Sequence, residues 1–433
     1  MNSIVAFFMS IVTFFGTLFG VVAADPILPA ETDDFVPVIR FVACSDTHVN
    51  DTYEENERAG RITKLFNLGY EFAEKDKYYN NLDAVMFVGD CTDNGTETQF
   101  ATFENEIKAG IREGTTLLAV VANNHDGYIG ASCLDSIEAI TGLDSDFHVV
   151  INGYHFIGIS CSDKDVGRYE LSQRTWLKKQ LDEAVKDDPD KPIFVCNHEH
   201  VVSTVYGSDP LDQWGILYFK DILSQYPQVV HFSGHSHYPL NDPRSIVQNG
   251  YTTIGTGSMS YVEYRYKLDI KIRPEGKERC AQAWIVEADK DNNIRLTGID
   301  VNDGGILCQY VIPTAAEKDE RFFTKDNLKS LSSAPEFAAD AKLTAVNNGD
   351  GTYTVTAPKA ESTDGFIVLA YIIKVYNKAG MLVKTDHNMN DYFLTVPRDE
   401  TSFTVDAKAG YKVEVTAENA YYMASEPLCL TLE

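Results

Sequence analysis

Five short polar segments recur down this chain, each closing an apolar run that reads as a buried strand. They are Asp46-Thr47-His48, Gly89-Asp90-Cys91-Thr92-Asp93, Asn124-His125-Asp126, Asn197-His198-Glu199-His200 and Gly234-His235-Ser236-His237. Six of the ten histidines fall inside them, so imidazoles are concentrated where strands end. A chain built this way must bring strand ends together, because side chains of this kind gain a function only when they converge. Open α/β sheets do this at the carboxyl ends of their strands.

The runs themselves support that architecture. Val38 to Cys44, Ala84 to Val88, Leu117 to Val121, Pro192 to Cys196 and Val229 to Phe232 are apolar and of strand length. Between the first two, Arg61 to Phe72 carries Ile62, Leu65, Phe66 and Leu68 mostly at three-to-four spacing, which predicts a helix. A second helix is expected from Ser172 through Val185, with Trp176, Leu177 and Leu181 inward. Asn152-Gly153 separates two apolar runs, Phe147–Ile151 and Tyr154–Gly158, and signals a type I′ hairpin. An antiparallel hairpin among parallel strands makes the sheet mixed.

Length and charge bound the rest. With 433 residues, 44% of them hydrophobic, the chain can bury two or three domains. Its 64 acidic against 37 basic residues give a net charge of −27, which repels polyanions. A nucleic-acid polymer is therefore not an expected partner. Ile4 to Ala24 is uncharged and ends in Val21-Val22-Ala23-Ala24, as a secretory cleavage site would. It lacks a basic n-region and is long enough to span a bilayer, so residues 1–24 read as signal peptide or membrane anchor. Either reading makes the protein secreted or extracytoplasmic. The eight cysteines show no disulfide or zinc-knot spacing, and most read as small buried hydrophobes.

The motifs carry ligand chemistry. In Asp-x-His at a strand end the two side chains share a face, so a carboxylate and an imidazole can hold one ion. Asp90 adds a carboxylate able to bridge two ions, Asn124 an amide oxygen, and Gly-His-x-His one imidazole for each metal. His198 completes the second set. Two divalent ions about 3.5–4 Å apart, bridged by a carboxylate and a water, cleave phosphoesters by in-line attack of the bridging hydroxide. A neighbouring histidine that is not a ligand then protonates the leaving oxygen. His125 occupies that place, with Asp126 adjacent as its orienting partner.

The ordered set resembles the calcineurin-like metallophosphoesterase superfamily, over residues from about 38 to 300. The resemblance implies that Asp46, His48, Asp90 and His237 hold the first metal, and Asp90, Asn124, His198 and His235 the second. It makes His125 the assistant to the leaving group. It also implies a four-layer α/β sandwich, αββα with mixed sheets. Gly-Asp-x-Thr-Asp-Asn-Gly looks more like the cyclic-nucleotide and glycerophosphodiester branch than the purple acid phosphatases, which carry a ligating tyrosine where this chain has Asp93. The chain departs from the pattern at Asn123, where a glycine is usual, and at Ala122, where a proline is. Asn tolerates left-handed backbone angles, which keeps that turn feasible.

Other histidines read as bystanders: His148 and His155 in the hairpin, His231 packed inside a strand, and His387 far along the chain. His200 stays open as a pocket residue. From Pro335 onward short strands alternate with Gly-, Asp- and Asn-containing turns, predicting a sandwich of immunoglobulin size. Ala409 to Asn419 resembles the late strand of fibronectin type III domains, whose usual core tryptophan would fall near Val355. The expected organisation is thus 1–24 signal or anchor, 36–305 catalytic domain, 306–334 connecting segment, and 335–433 fibronectin type III-like domain. Oxygen and imidazole ligands suit two ions of Mn, Fe or Zn. The expected substrate is a small phosphomonoester or phosphodiester, chosen by loops 201–215 (Tyr206, Asp209, Trp214) and 127–146 (Tyr128). The competing reading is a catalytically inactive surface protein whose β-sandwich binds a partner or polymer.

Overall fold

The computed structural model describes residues 35–51, 56–130, 132–161, 169–209, 215–313 and 321–433. The expected signal or anchor at 1–24 and Trp214 lie outside these residues. No helix among the described residues is long and apolar enough to cross a membrane. The chain divides into two compact units, residues 1–241 with 245–322, and 242–244 with 323–433.

The first unit contains two six-stranded sheets. In one, Pro37–Cys44 pairs in parallel with Ala84–Val88, which pairs in parallel with Thr116–Val120. On its other side Pro37–Cys44 runs antiparallel to Gln282–Asp289, followed by Ile294–Asp300 and Ile306–Ile312. In the second sheet Tyr154–Gly158, Ile193–Cys196, Val229–Ser233 and Thr252–Gly255 are parallel. Phe147–Ile151 and Ile246–Gln248 close its two edges antiparallel. Both sheets are mixed, and Asn152 (φ 51°) with Gly153 (φ 78°) forms the left-handed pair that a type I′ turn requires.

The layers follow from which faces are apolar. Helices α1 (Asn56–Lys75), α2 (Glu97–Gly110) and α3 (Ser132–Thr141) cover the first sheet. Ile62, Leu65, Phe66, Phe103, Ile107 and Ile137 pack there on Val42, Val85 and Phe87. Helix α4 (Leu171–Asp187) lays Leu177, Leu181 and Ala184 on Ile157, Val195 and Val229 of the second. Between the sheets Phe41 meets Phe156 and Phe194 edge-on, with centroids 5.0 and 4.7 Å apart. The arrangement is α/β/β/α, and the parallel strands of each sheet run the same way, collecting their carboxyl ends.

Ile306–Ile312, expected to begin the connecting segment, is instead the edge strand of the first sheet. Its residues are mostly half-buried or exposed, so it lacks the apolar signature of the central strands. All eight cysteines are free thiols, six of them buried.

One buried carboxylate gives a stability prediction. Asp300 accepts hydrogen bonds from the Ala281 and Asn302 amides at 3.0 and 2.9 Å. Burial nevertheless pushes its carboxyl up to about 6. A raised carboxyl pKa favours the protonated form in the fold, so stability is lost as pH climbs from about 4 to about 6 and then levels. Asp300→Asn keeps an acceptor oxygen and removes the charge. It should stabilise the protein by roughly 1–3 kcal/mol at pH 7 and by nothing near pH 4. Urea unfolding at the two pH values checks this.

The second unit opens on a short helix, Lys325–Leu331, and is otherwise β, with a two-stranded pairing (Glu336–Phe337, Ala360–Glu361) and sheets of three (Thr344–Asn347, Thr352–Pro358, Glu400–Asp406) and four strands (Leu382–Met389, Val368–Tyr376, Lys412–Asn419, Leu428–Thr431). Strict alternation buries Tyr353, Val355 and Ala357 on one strand and Val413, Val415 and Ala417 on another.

Candidate metal centre

The polar segments that follow the parallel strands are stitched together by backbone before any side chain is considered. The Asp46 amide donates to the Gly89 carbonyl and the His48 amide to the Asp90 carbonyl, both at 3.0 Å. The Gly234 amide donates to the His198 carbonyl at 2.9 Å, and the His235 amide to Asp46 Oδ2 at 3.1 Å. Five of the residues that meet here, Asp46, His48, Asp90, His235 and His237, adopt left-handed φ between 46° and 71°. Such angles cost about 1–3 kcal/mol each in a non-glycine residue and cluster where a site demands them.

Three overlapping groups of ligand atoms result: Asp46, His48, Asp90 and His237; Asp90, His198 and His235; and a third, sharing His48 with the first, of His48, Asp93 and His125. His237 Nε2 stands 3.1 Å from Asp46 Oδ1 and 3.1 Å from His48 Nε2. His198 Nε2 is 3.1 Å from Asp90 Oδ2 and 3.1 Å from His235 Nδ1. Asn124 Nδ2 lies 3.0 Å from Asp90 Oδ2 and 3.3 Å from His235 Nδ1. All seven expected ligand positions therefore converge, with Asp90 shared.

Two buried atoms test whether this set suits cations. Asp90 Oδ1 and Asn124 Oδ1 are buried without a hydrogen-bond donor. Turning the Asn124 amide by 180°, an assignment that hydrogen bonding alone decides, would aim its oxygen at the Asp90 and His235 side. A buried acceptor without a donor costs about 1–3 kcal/mol, and a cation satisfies both oxygens. The imidazoles fit as well. His198 Nδ1 is held by the Val88 carbonyl at 2.8 Å and His237 Nδ1 by the Tyr261 carbonyl at 3.0 Å, which leaves each Nε2 as a lone pair facing inward. The residues fit two divalent ions.

The electrostatics agree. Burial alone would raise the Asp46 and Asp90 carboxyls, yet the facing histidines hold both well below the usual carboxylate range. Burial pushes His235 down to about 3, keeping its ring a neutral donor of electrons.

His125 lies beside the set and not within it. Its ring is 4.3 Å from His48 and 5.1 Å from Tyr128 by centroids, and it is partly exposed, as Asn124 and His235 are, where Asp46, His48, Asp90, His198 and His237 are buried. Its Nδ1 donates to the Asp93 carbonyl at 2.8 Å, leaving Nε2 free of that bond. The expected orienting partner, Asp126, is elsewhere. Its carboxylate accepts from the Cys91, Thr92 and Ala122 amides and from Thr92 Oγ1, stapling the second loop to the third. A residue immediately after another on a turn points away from it, and here it points into the backbone. Asp93 takes the role instead, its carboxylate 3.3 Å from His48 Nδ1 and its carbonyl on His125. The three-residue spacing from Asp90 to Asp93 was the available signal.

Neither Asn123 nor Asn124 needs a left-handed angle, so the missing glycine brings no strain. His231 is buried on Asn197 Oδ1 at 2.7 Å, and His200 is saturated by Ser233 and Ser236 hydroxyls at 2.8 Å. Tyr206 is bonded to the Arg265 amide at 2.9 Å and Asp209 to the Arg265 guanidinium at 3.0 Å, so that loop is tied to Arg265.

Glycine spacing in the motifs has a steric cause. A Cβ on Gly89 (φ +81°) would stand 2.6 Å from His198 Nδ1, and one on Gly234 2.5 Å from Asp46 Oδ2. Gly89→Ala should therefore displace His198, destabilising the protein by about 1–3 kcal/mol and lowering its metal content. Thermal melts and elemental analysis of the variant measure both.

Residues 39–239, rather less than half of the chain, match the family model for calcineurin-like phosphoesterases. The chain carries a calcineurin-like phosphoesterase domain. Its α/β layers are the metallophosphoesterase fold, with the all-β unit following. A probable glycerophosphodiester phosphodiesterase of Arcobacter nitrofigilis is 29% identical over 175 residues, covering 37% of this chain and 60% of that protein. The chain thus spans less than two thirds of that relative's length. The purple acid phosphatase of yellow lupin (Lupinus luteus) seeds superposes with a TM-score of 0.46 at 14% identity, covering 64% of this chain and 54% of its own. The phosphopantetheinyl hydrolase of Mycobacterium tuberculosis gives a TM-score of 0.30 at 13% identity, covering 50% and 89%.

Proposed function

We propose that the phosphoesterase domain hydrolyses a small phosphodiester with two divalent ions. The observation that carries this reading is the convergence of seven ligand side chains into two sets sharing Asp90, with His125 outside both. Asp46, His48, Asp90 and His237 would hold the first ion, and Asp90, Asn124, His198 and His235 the second. Such a pair lowers the pKa of a water and neutralises phosphoryl charge. The chain's own contribution is positional. Asp46 and Asp90 bring negative charge that keeps the ions close, and the carbonyls of Val88 and Tyr261 fix the rings of His198 and His237. His125, pinned at Nδ1, delivers a proton from Nε2 to the departing oxygen.

The diester preference is supported by the relative from Arcobacter nitrofigilis and by Asp93, which stands where purple acid phosphatases place a ligating tyrosine. The test is to load the purified protein with Mn, Fe or Zn and count ions, then compare an aryl phosphodiester, an aryl phosphomonoester and a glycerophosphodiester. About two ions per chain and faster diester hydrolysis are expected. Retention of no ion together with no hydrolysis of any of them would overturn the proposal.

We also propose that the protein is exported through residues 1–24 and that residues 335–433 form a fibronectin type III-like domain. The uncharged Ile4 to Ala24 stretch supports the first, and the three- and four-stranded sheets enclosing Val355 support the second. Cell fractionation with amino-terminal sequencing tests export, which recovery of the protein from the cytoplasm alone would refute. A solved structure of the carboxyl-terminal unit tests the domain assignment.

A further inference from the structure

We propose that His148 and His155 form a separate metal site for a borderline divalent ion such as Zn2+, Ni2+ or Cu2+. The two residues lie on the same face of the hairpin, diagonally across alternate cross-strand pairs, His148 opposite Ile157 and Val150 opposite His155. His148 stands on the edge strand of the second sheet and His155 on the strand next to it. His155 is three residues short of the carboxyl end of its strand, away from the end that carries the phosphoesterase motifs.

The decisive feature is the direction of four ring nitrogens. His148 Nε2 and His155 Nδ1 face each other at 2.7 Å. Their outer nitrogens both meet oxygen acceptors: His148 Nδ1 meets Gln180 Oε1 at 2.7 Å, and His155 Nε2 meets Asp187 Oδ2 at 3.2 Å. An imidazole nitrogen facing an acceptor must carry the hydrogen. With the Gln180 amide oxygen so placed and both outer nitrogens protonated, the inner nitrogens present two lone pairs in contact, which a cation between them, a metal ion or a shared proton, would join. The phosphoesterase centre shows the same pattern, with facing nitrogens 3.1 Å apart and outer nitrogens on carbonyls at His198 and His237.

Two imidazoles select borderline ions, and ligand distances of about 2.0–2.1 Å at a tetrahedral angle require the nitrogens to part by about 0.6 Å from their present separation. Gln180, Glu183 and Asp187 follow one face of α4 at three- and four-residue spacing. Glu183 acts electrostatically on His148 and adds negative charge to the surroundings of the pair. Gln180 and Asp187 orient the rings, as outer partners of metal ligands do. An ion here would fasten the edge strand to the helix, so its role is structural.

The test counts ions on the whole protein by equilibrium dialysis against Zn2+. Wild type should hold one ion more than His148→Ala, whatever the phosphoesterase centre binds, so failure here and failure of the proposed function are separable. Hydrolysis by His148→Ala should be unchanged. Gln180→Leu, which leaves both ligands in place, should weaken binding about 10–100-fold. Equal ion counts in wild type and His148→Ala would overturn the proposal, and the pair would then share a proton only. If His148→Ala does not fold, unchanged affinity in Gln180→Leu overturns it equally.

Discussion

Asp90→Ala should abolish hydrolysis, by about 10³-fold or more, and cut the bound metal from two ions to at most one. Asp90 is the one side chain common to both ligand sets. Its Oδ2 lies 3.1 Å from His198 Nε2, 3.7 Å from His48 Nε2 and 3.0 Å from Asn124 Nδ2, while Oδ1 is buried without a donor. Removing it takes a carboxylate from each ion at once and leaves mostly neutral imidazoles, with less negative charge to hold two cations close together. Several kcal/mol of transition-state stabilisation depends on such ions, and each 1.4 kcal/mol is tenfold in rate. The fold should survive, because the loops are joined through the Asp46, His48 and Gly234 amides and the Asp126 staple. Elemental analysis, circular dichroism and an aryl diester assay read the three quantities separately. Full activity in this variant would remove the basis for a dinuclear centre.

Much of this centre was legible in the sequence because metal ligation is a local demand. Asp-x-His and Gly-His-x-His place side chains by backbone geometry within three residues, and glycine appears where a Cβ would strike His198 or Asp46. What escaped depends on loop direction. Asp126 and Asp93 are both carboxylates near His125, and spacing favoured the adjacent one. Only the turn through residues 123–129 decides that Asp126 faces the Cys91, Thr92 and Ala122 amides while Asp93 lies under the ring. The edge strand Ile306–Ile312 escaped for a related reason, since an element packed on one side only carries half the apolar signal. His148 and His155 read as bystanders because neither belongs to a motif. Their facing nitrogens arise from a diagonal across a hairpin, a relation that sequence spacing does not display.

His125→Asn should lower kcat by about 10²–10⁴-fold while leaving two ions bound, the range expected for loss of a positioned general acid. The separation of the two readouts follows from geometry. His125 contacts the Asp93 carbonyl and the edge of the His48 ring, and stands outside both four-ligand sets, grouped only with His48 and Asp93. The loss should grow with the basicity of the leaving group. An aryl diester expels a phenolate that needs little protonation, so it should suffer least, while a glycerophosphodiester releases an alkoxide and should suffer most. Asp93→Asn provides the contrast. It preserves the backbone carbonyl that holds His125 but changes the group 3.3 Å from His48 Nδ1, so it should weaken metal affinity about 10–100-fold. At saturating metal the Asp93 variant should recover most of its rate and the His125 variant none. Equal loss on aryl and alkyl leaving groups would show that His125 moves no proton, and metal loss in His125→Asn would make it a ligand instead.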